Sequence, residues 1–257
     1  MIPFSVLDLS PIVEGGDARR AFDETLALAQ AADRLGYQRF WLAEHHSMQG
    51  LLCSATPVLI GHVAAATKTI RVGSGGVMLP HYSPLKVAET FSMLSGMYGD
   101  RVDLAVGRAP GSDPVTAYAL QRDRRTAGPD DFPEQLTELL AYVHDTMPIT
   151  HRFARLAKLP GGAARPDVWL LGSSPQSGVW AAELGLPYAF AHFISPQPTK
   201  EAFEHYFANF KPGIVAKPQG LIALGILCAD TEEEAARLRL SSRLMRRRLR
   251  QGILLPV

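Results

Sequence analysis

Cysteine is almost absent: Cys53 and Cys228 are the only two in 257 residues, far apart and without metal-type spacing. That excludes a disulfide framework, gives no sign of a zinc site, and fits a reducing, cytoplasmic setting. A charge imbalance is missing too. With 26 Lys plus Arg against 25 Asp plus Glu, the formal charge is +1, so no overall field draws nucleic acid or an anionic membrane as partner. Long apolar runs are missing as well. No segment approaches the ~18 uninterrupted apolar residues of a membrane span, and the opening MIPFSVLDLSPIVEGG has no basic start before an apolar stretch, so no export signal is expected. There is no G-x-S-x-G elbow for a serine nucleophile. What is present, 47% hydrophobic and 20% charged residues, lies in the range of a soluble globular chain, expected as one domain over 1–257 with a small molecule as partner.

Strand-like and helix-like patterns alternate along the whole chain. Apolar runs at 4–10, 39–43, 69–79, 101–107, 167–172, 187–191 and 219–228 read as seven strands, each followed by a segment with helical spacing. Residues 18–35 repeat apolar positions until Gly36 stops them, a second helix is expected from about 54 to 66, and Pro84 opens a helix to about 97. A polar loop over 121–133 precedes another helix, and the Gly- and Pro-rich stretch 155–167 is expected as a mobile excursion over the mouth of the sheet. Continuous rather than alternating apolar strands argue for a parallel sheet buried on both faces. Serial repetition at this length favours a TIM-type (β/α)8 barrel over an open doubly wound sheet. The eighth β/α unit is missing from the count, so the domain is expected to be C-terminally short. The basic run Arg246-Arg247-Arg248 and Arg250 reads as a solvated helix face or a site for an acidic partner.

In a parallel barrel the chemistry collects at the carboxyl ends of the strands. Those positions are Asp8 and Ser10; Glu44, His45 and His46; Ser74, Gly75 and Gly76; Arg108, Gly111 and Asp113; Gly172, Ser173, Ser174, Gln176 and Ser177; and His192. The stretch FWLAEHHSM sets a carboxylate and two imidazoles behind a buried strand, to be read as a solvated loop, a metal site or an acid/base site. Adjacent histidines point in different directions and no third and fourth ligand is evident, which weakens the metal reading. The loop GSSPQSG puts hydroxyls and glycines ahead of a helix near Pro175, where free N–H groups and the helix dipole favour a phosphate, and Arg108 lies on the adjacent strand. Three glycines among four residues in VGSGGVMLP point to a bulge, an unusual backbone geometry, or a flat ligand lying against the chain. A flat ring beside a phosphate reads as a flavin. Cys53 has no evident special setting.

The segments FWLAEHHSM, IRVGSGGVMLPHYSPLKVAE, DLAVGRAPGSD and LLGSSPQSG together resemble the bacterial luciferase-like family of flavin-dependent monooxygenases, especially its non-luminous oxidoreductases. The resemblance runs from about Ser5 to Val257. It implies that reduced FMN and O2 form a peroxyflavin that oxidises a small organic substrate, with a separate flavin reductase supplying the FMN. His45 falls on the residue tied to flavin oxygen chemistry, with His46 and Glu44 in support. Gly75-Gly76 fall where some members carry a non-prolyl cis peptide behind the flavin ring, and Arg108 with Gly172, Ser173 and Ser174 falls on the phosphate site. Asp8 and Ser74 complete the expected cofactor contacts. A homodimer through the second and third helices is a further implication, compatible with VLIGHVAAAT. Two departures stand out: Gly107 occupies the place of luciferase's reactive cysteine, and the family continues for an eighth unit. Alternatives are a deazaflavin-dependent hydride transfer, a flavin-binding protein without turnover, and an unrelated barrel that binds a phosphosugar.

Overall fold

The computed structural model describes residues 2–120, 130–156 and 158–251. Seven strands, β1 (Ser5–Asp8), β2 (Arg39–Leu42), β3 (Arg71–Met78), β4 (Val102–Gly107), β5 (Asp167–Gly172), β6 (Tyr188–Phe190) and β7 (Gly220–Ile222), pair in parallel and in sequence order. Among the described residues, eight α-helices accompany them: α1 (Ala18–Arg34), α2 (Thr56–Ala66), α3 (Pro84–Tyr98), α4 (Pro114–Leu120), α5 (Phe132–His144), α6 (Pro175–Leu184), α7 (Thr199–Asn209) and α8 (Glu232–Arg250). Parallel neighbours need a crossover, and the helices supply it.

The strand period of two sorts side chains into two cores. Phe40, Leu42, Val72, Leu104, Val106, Val168, Leu170, Tyr188 and Phe190 face the helices and share one cluster with Ala29, Ile60, Val63, Phe91 and Leu139. Each fully buried Phe or Leu there is worth about 1.5–3 kcal/mol. Residues of the other parity, Trp41, Ala105, Trp169 and Ala189, form a second cluster with Leu7, Leu171 and Leu221 against it. The rings of Trp41 and Trp169 lie 5.4 Å apart. Their strands are separated by three spacings of ~4.8 Å, roughly 14 Å in a flat sheet. The sheet is therefore curled about this inner cluster, as an all-parallel seven-stranded half-barrel with β1 and β7 as outer strands.

Local sequence explains the elements. Asp17 accepts the Arg20 N–H at 2.8 Å and caps α1, a contribution of about 1 kcal/mol. Ala21, Thr25, Ala29 and Ala32 then form the buried stripe of that helix. Proline lies in the first turn of α2, α3, α5 and α6, where its missing N–H costs nothing.

Four points of the sequence reading change. The stretch before 121 contains α4, because Asp113 accepts the N–H groups of Val115 and Thr116 at 2.9 and 3.1 Å ahead of the first-turn Pro114. Most of the loop expected at 121–133 lies outside the described residues, and α5 already begins at Phe132. The stretch 155–167 is not over the mouth. It joins a helix to the start of β5 and so lies at the opposite end, where Gly161 N–H donates to Ser92 Oγ of α3 at 2.8 Å. Finally, β7 pairs over Gly220–Ile222 rather than 219–228, since its neighbour β6 offers only Tyr188–Phe190.

Candidate active site

Glu44 sits two residues beyond β2 and is 1% exposed. Its Oε1 is bound by His46 Nε2 at 2.8 Å and accepts the Tyr82 hydroxyl at 3.0 Å. The His46 ring meets the edge of His81 at 5.6 Å, and His81 Nε2 lies 2.7 Å from the Pro110 carbonyl. His46 N–H donates to Gly111 O at 3.3 Å. Gly111 has φ +59°, and a Cβ there would fall 2.9 Å from Glu44 O and 3.0 Å from Met78 Cγ, so only glycine lets this loop close on the cluster. Three loops, after β2, β3 and β4, thus converge on one carboxylate.

His45 faces differently. Its N–H donates to Cys53 O at 3.3 Å and its Nδ1 lies 3.9 Å from Cys53 Sγ. Burial, and secondly the charge of His46, hold the His45 imidazole below its ordinary pKa, so it is neutral at neutral pH. Burial pushes the Cys53 thiol up to about 11, which leaves it a protonated, weakly donating partner. Cys53 therefore does have a special setting, contrary to its sequence reading: it is the neighbour of His45.

The glycines of β3 lie bare against other strands. The Gly75-Gly76 peptide is cis, and the register with β4 shifts between Gly75 and Val77. A Cβ on Gly75 would come within 2.7 Å of Leu7, and one on Gly76 within 2.5 Å of both Ala105 O and Leu171. Side chains are excluded here by the approach of neighbouring strands.

Arg108 follows β4 and is half exposed. It pairs with Asp130 at 3.1 Å and lies 5.5 Å over the Trp180 ring of α6. At the start of α6, Ser174 is the N-cap but its side chain makes no cap hydrogen bond. A Cβ on Gly172 would fall 1.8 Å from Ser177 Oγ, so glycine lets Ser177 tuck beneath the strand end and donate to Ser174 O at 2.7 Å. The loop is thereby braced from behind, leaving Ser173, the exposed Ser174 and the helix N-terminus beside a guanidinium whose present partner is solvated. This donor set suits a phosphate.

The structure thus gathers Glu44, His45 and His46 in one cluster and Arg108, Gly172, Ser173 and Ser174 in another, both at the carboxyl end of the sheet, with Gly75-Gly76 on the strand between β2 and β4. Two expected contacts turn elsewhere. Asp8 accepts from Ser10 N and from Thr25 Oγ1 of α1, at 3.0 and 2.8 Å. Ser74 is in register with Leu42 and Leu104 of the helix-facing core and donates to Ala105 O at 2.8 Å. Sequence reasoning missed Tyr82, His81 and Cys53. For the first two the signal was present, since the dipeptide His81-Tyr82 lies just beyond the third strand. Among the described residues, no group of three or more His, Cys, Asp or Glu is placed to hold a metal ion, and no helix is long and apolar enough to cross a membrane.

Comparison with known proteins shows the same fold in related sequences. The family model for luciferase-like monooxygenases matches residues 2–252. The chain is 43% identical over 237 residues to an N-acetyl-S-alkylcysteine monooxygenase of Bacillus subtilis, covering 91% of this chain and 70% of that protein. The solved structure of apo-MsnO8 superposes with a TM-score of 0.90 at 42% identity, covering 100% of this chain and 76% of that one. The fold is shared more distantly with the oxygenating constituent of 3,6-diketocamphane monooxygenase from Pseudomonas putida, solved in complex with FMN. There the TM-score is 0.75 at 22% identity, covering 99% of this chain and 77% of that one.

Proposed function

The chain belongs to the luciferase-like monooxygenase family, and from that premise and the site geometry we propose that it is an FMN-dependent oxygenase acting on a small organic substrate, an enzyme of the EC 1.14 type. The observation that carries the reading is the pair of clusters at one end of the sheet, a braced helix N-terminus beside Arg108 and a buried Glu44–His46 pair beside a neutral His45. The residues that would hold FMN are Arg108, Ser173, Ser174 and the first N–H groups of α6 at its phosphate, with the Gly75-Gly76 backbone along the ring. They fit the group because the phosphate donors are accessible and the helix cap is unspent. When bound and reduced, FMN supplies the electrons with which one atom of O2 enters the substrate and the other leaves as water.

The protein's own residues then have separate tasks. Arg108 exchanges its solvated partner Asp130 for a phosphate, which costs little because both side chains are half exposed. His45, neutral through burial, holds or delivers a proton at a ring nitrogen while Cys53 abuts the other face of its chemistry at Nδ1. His46 and Glu44 keep a fixed hydrogen-bonded pair next to it. Dimerisation through α2 and α3 belongs to the same reading, supported by the exposed Val58, Met93 and Met97 on those helices. So does a reducing, cytoplasmic setting, in which the unpaired Cys53 and Cys228 are stable thiols. A flavin reductase is the partner that would deliver the reduced cofactor.

The test is an anaerobic titration with FMNH2, followed by oxygen uptake across a panel of small substrates, with a reduced deazaflavin as the competing cofactor. Saturable FMNH2 binding and substrate-dependent oxygen uptake are expected. Turnover with the deazaflavin but not FMNH2 would overturn the reading, and binding without turnover would reduce the protein to a flavin carrier.

A further inference from the structure

Tyr82 reaches the site from the β3–α3 connection, and its hydroxyl ends on the same Glu44 oxygen that His46 binds. The two donors arrive from residues 36 positions apart in the chain, one at 2.8 Å and the other at 3.0 Å. A phenylalanine would fill the same space, so the hydroxyl is there for the carboxylate. The phenol keeps its proton, because burial and secondly the negative charge of Glu44 raise its pKa. It is therefore a permanent donor to the carboxylate oxygen that the His46 imidazole also binds.

We propose that Tyr82 is a positioning residue: by donating to the Glu44 oxygen that also binds His46, it lowers the proton affinity of the Glu44–His46 pair and so sets the charge that His45 experiences. The proposal rests on the reading of His45 as the proton-handling residue. A hydrogen bond to a carboxylate stabilises its ionised form. Without that bond the deprotonated pair is less stable, and the pair holds its shared proton more tightly. His46, cationic over a wider pH range, then pushes the proton affinity of His45 down, since the charge of His46 already acts in that direction.

The surroundings contain few other titrating groups. His45 and Cys53 come from the β2–α2 segment itself, and His81 from the β3–α3 connection faces the His46 ring at 5.6 Å. Asp8 at the end of β1 is close enough for its charge to act on Cys53. The loop after β4 contributes the carbonyls of Pro110, to His81, and Gly111, to His46. Tyr82 is the neutral donor that modulates the set.

The experiment is an NMR titration of the histidine ring signals in the free protein and in Tyr82→Phe, with His45 and His46 assigned from His45→Gln and His46→Gln. The expected result is an upward shift of the Glu44–His46 titration by about one pH unit, the size of one charged hydrogen bond, and a downward shift of His45. In a Glu44→Gln background, Tyr82→Phe should move neither histidine. An unmoved or lowered Glu44–His46 titration in Tyr82→Phe overturns the proposal, as does an equal shift in the Glu44→Gln background. Circular dichroism checks that the variants fold. The titration needs no flavin, so shifts of the expected kind alongside absent oxygen uptake would retire the proposed function and leave the Tyr82 linkage standing.

Discussion

At the amino ends of the strands, on the concave side of the sheet, Arg39, Arg71, Asp103 and Asp167 form an ionic network in which the buried Arg39 Nη1 makes no hydrogen bond. Arg71 Nη2 bridges Asp103 and Asp167 at 2.7 Å each, Arg39 approaches Asp103 at 3.6 Å, and Trp41 Nε1 donates to Asp103 at 2.8 Å. The Arg39 guanidinium lies 4.8 Å over the Trp169 ring. At the carboxyl ends, Glu44 is equally buried, but its partners are an imidazole and a phenol, and the partner of Arg108 is a half-exposed carboxylate. Both ends hold ionisable groups in a curled sheet. The floor spends its charges on one another, and the mouth does not. Residue type alone does not separate a structural charge from a working one; strand polarity does.

Removing Asp103 should break the floor with the largest effect. Asp103→Ala leaves the buried Arg39 guanidinium without its carboxylate and the Trp41 indole N–H without its acceptor, and takes one of two carboxylates from Arg71, at a cost of about 3–5 kcal/mol, read as a lowered urea midpoint. A loss below about 1 kcal/mol would mean that the floor is no more structural than the mouth. His45→Ala tests the other end. Its stability should change by less than about 1 kcal/mol, while oxygenated product falls by about a hundredfold or more with FMN binding nearly intact, as for loss of an acid/base group. An unchanged product yield sinks the assignment of His45. Arg108→Ala comes third: a weakening of FMN binding by about tenfold with no change in urea midpoint, since its bond to Asp130 is between half-exposed groups. FMN binding unaffected by this change would remove Arg108 from the phosphate site.

Much of this comparison is legible in the sequence, and the exceptions share a cause. Phe40 to Leu42 and Leu104 to Val106 announce buried strands by continuous apolar character, so the seven strands and their order follow from the chain alone. The EHH triplet and the GSSPQSG loop are contiguous and therefore visible. Asp8 was grouped with the mouth because it ends a strand, but strand alternation turns Leu7 inward and Asp8 toward Thr25. The 155–167 stretch follows the same logic, since a helix-to-strand connection returns to the floor. Tyr82 and Cys53 differ in kind. Tyr82 lies just beyond the third strand, so its place at the mouth is legible while its bond to Glu44, 38 residues away, is not, and Cys53 meets His45 only because the β2–α2 segment folds back on itself. The Asp113-Pro114 start of α4 is legible in the chain as a cap and first-turn proline.

The smallest effect is one of pH, and it compares two histidines rather than two networks. Burial lowers the pKa of His45 at the mouth and of His144 at the far end of α5, with His46 adding to the first shift and Arg165 to the second. An unfolded histidine takes up its proton near the ordinary 6.5, whereas the folded ones resist it. Between the two values the unfolded chain binds more protons, so the stability present above 6.5 is lost as pH falls through the lowered folded values. Each residue contributes on the order of 1 kcal/mol or less. Urea unfolding at pH 7.5 and 5.5, as assay settings of about those values, should give a smaller pH gap in His45→Gln and in His144→Gln than in the parent protein. Oxygen uptake should then divide them, lost in His45→Gln and kept in His144→Gln. Two variants with the same acid response and opposite activities would tie function to the strand end and not to burial of an imidazole as such. A parent-sized pH gap in both, or loss of activity in both, would break the division between the two ends.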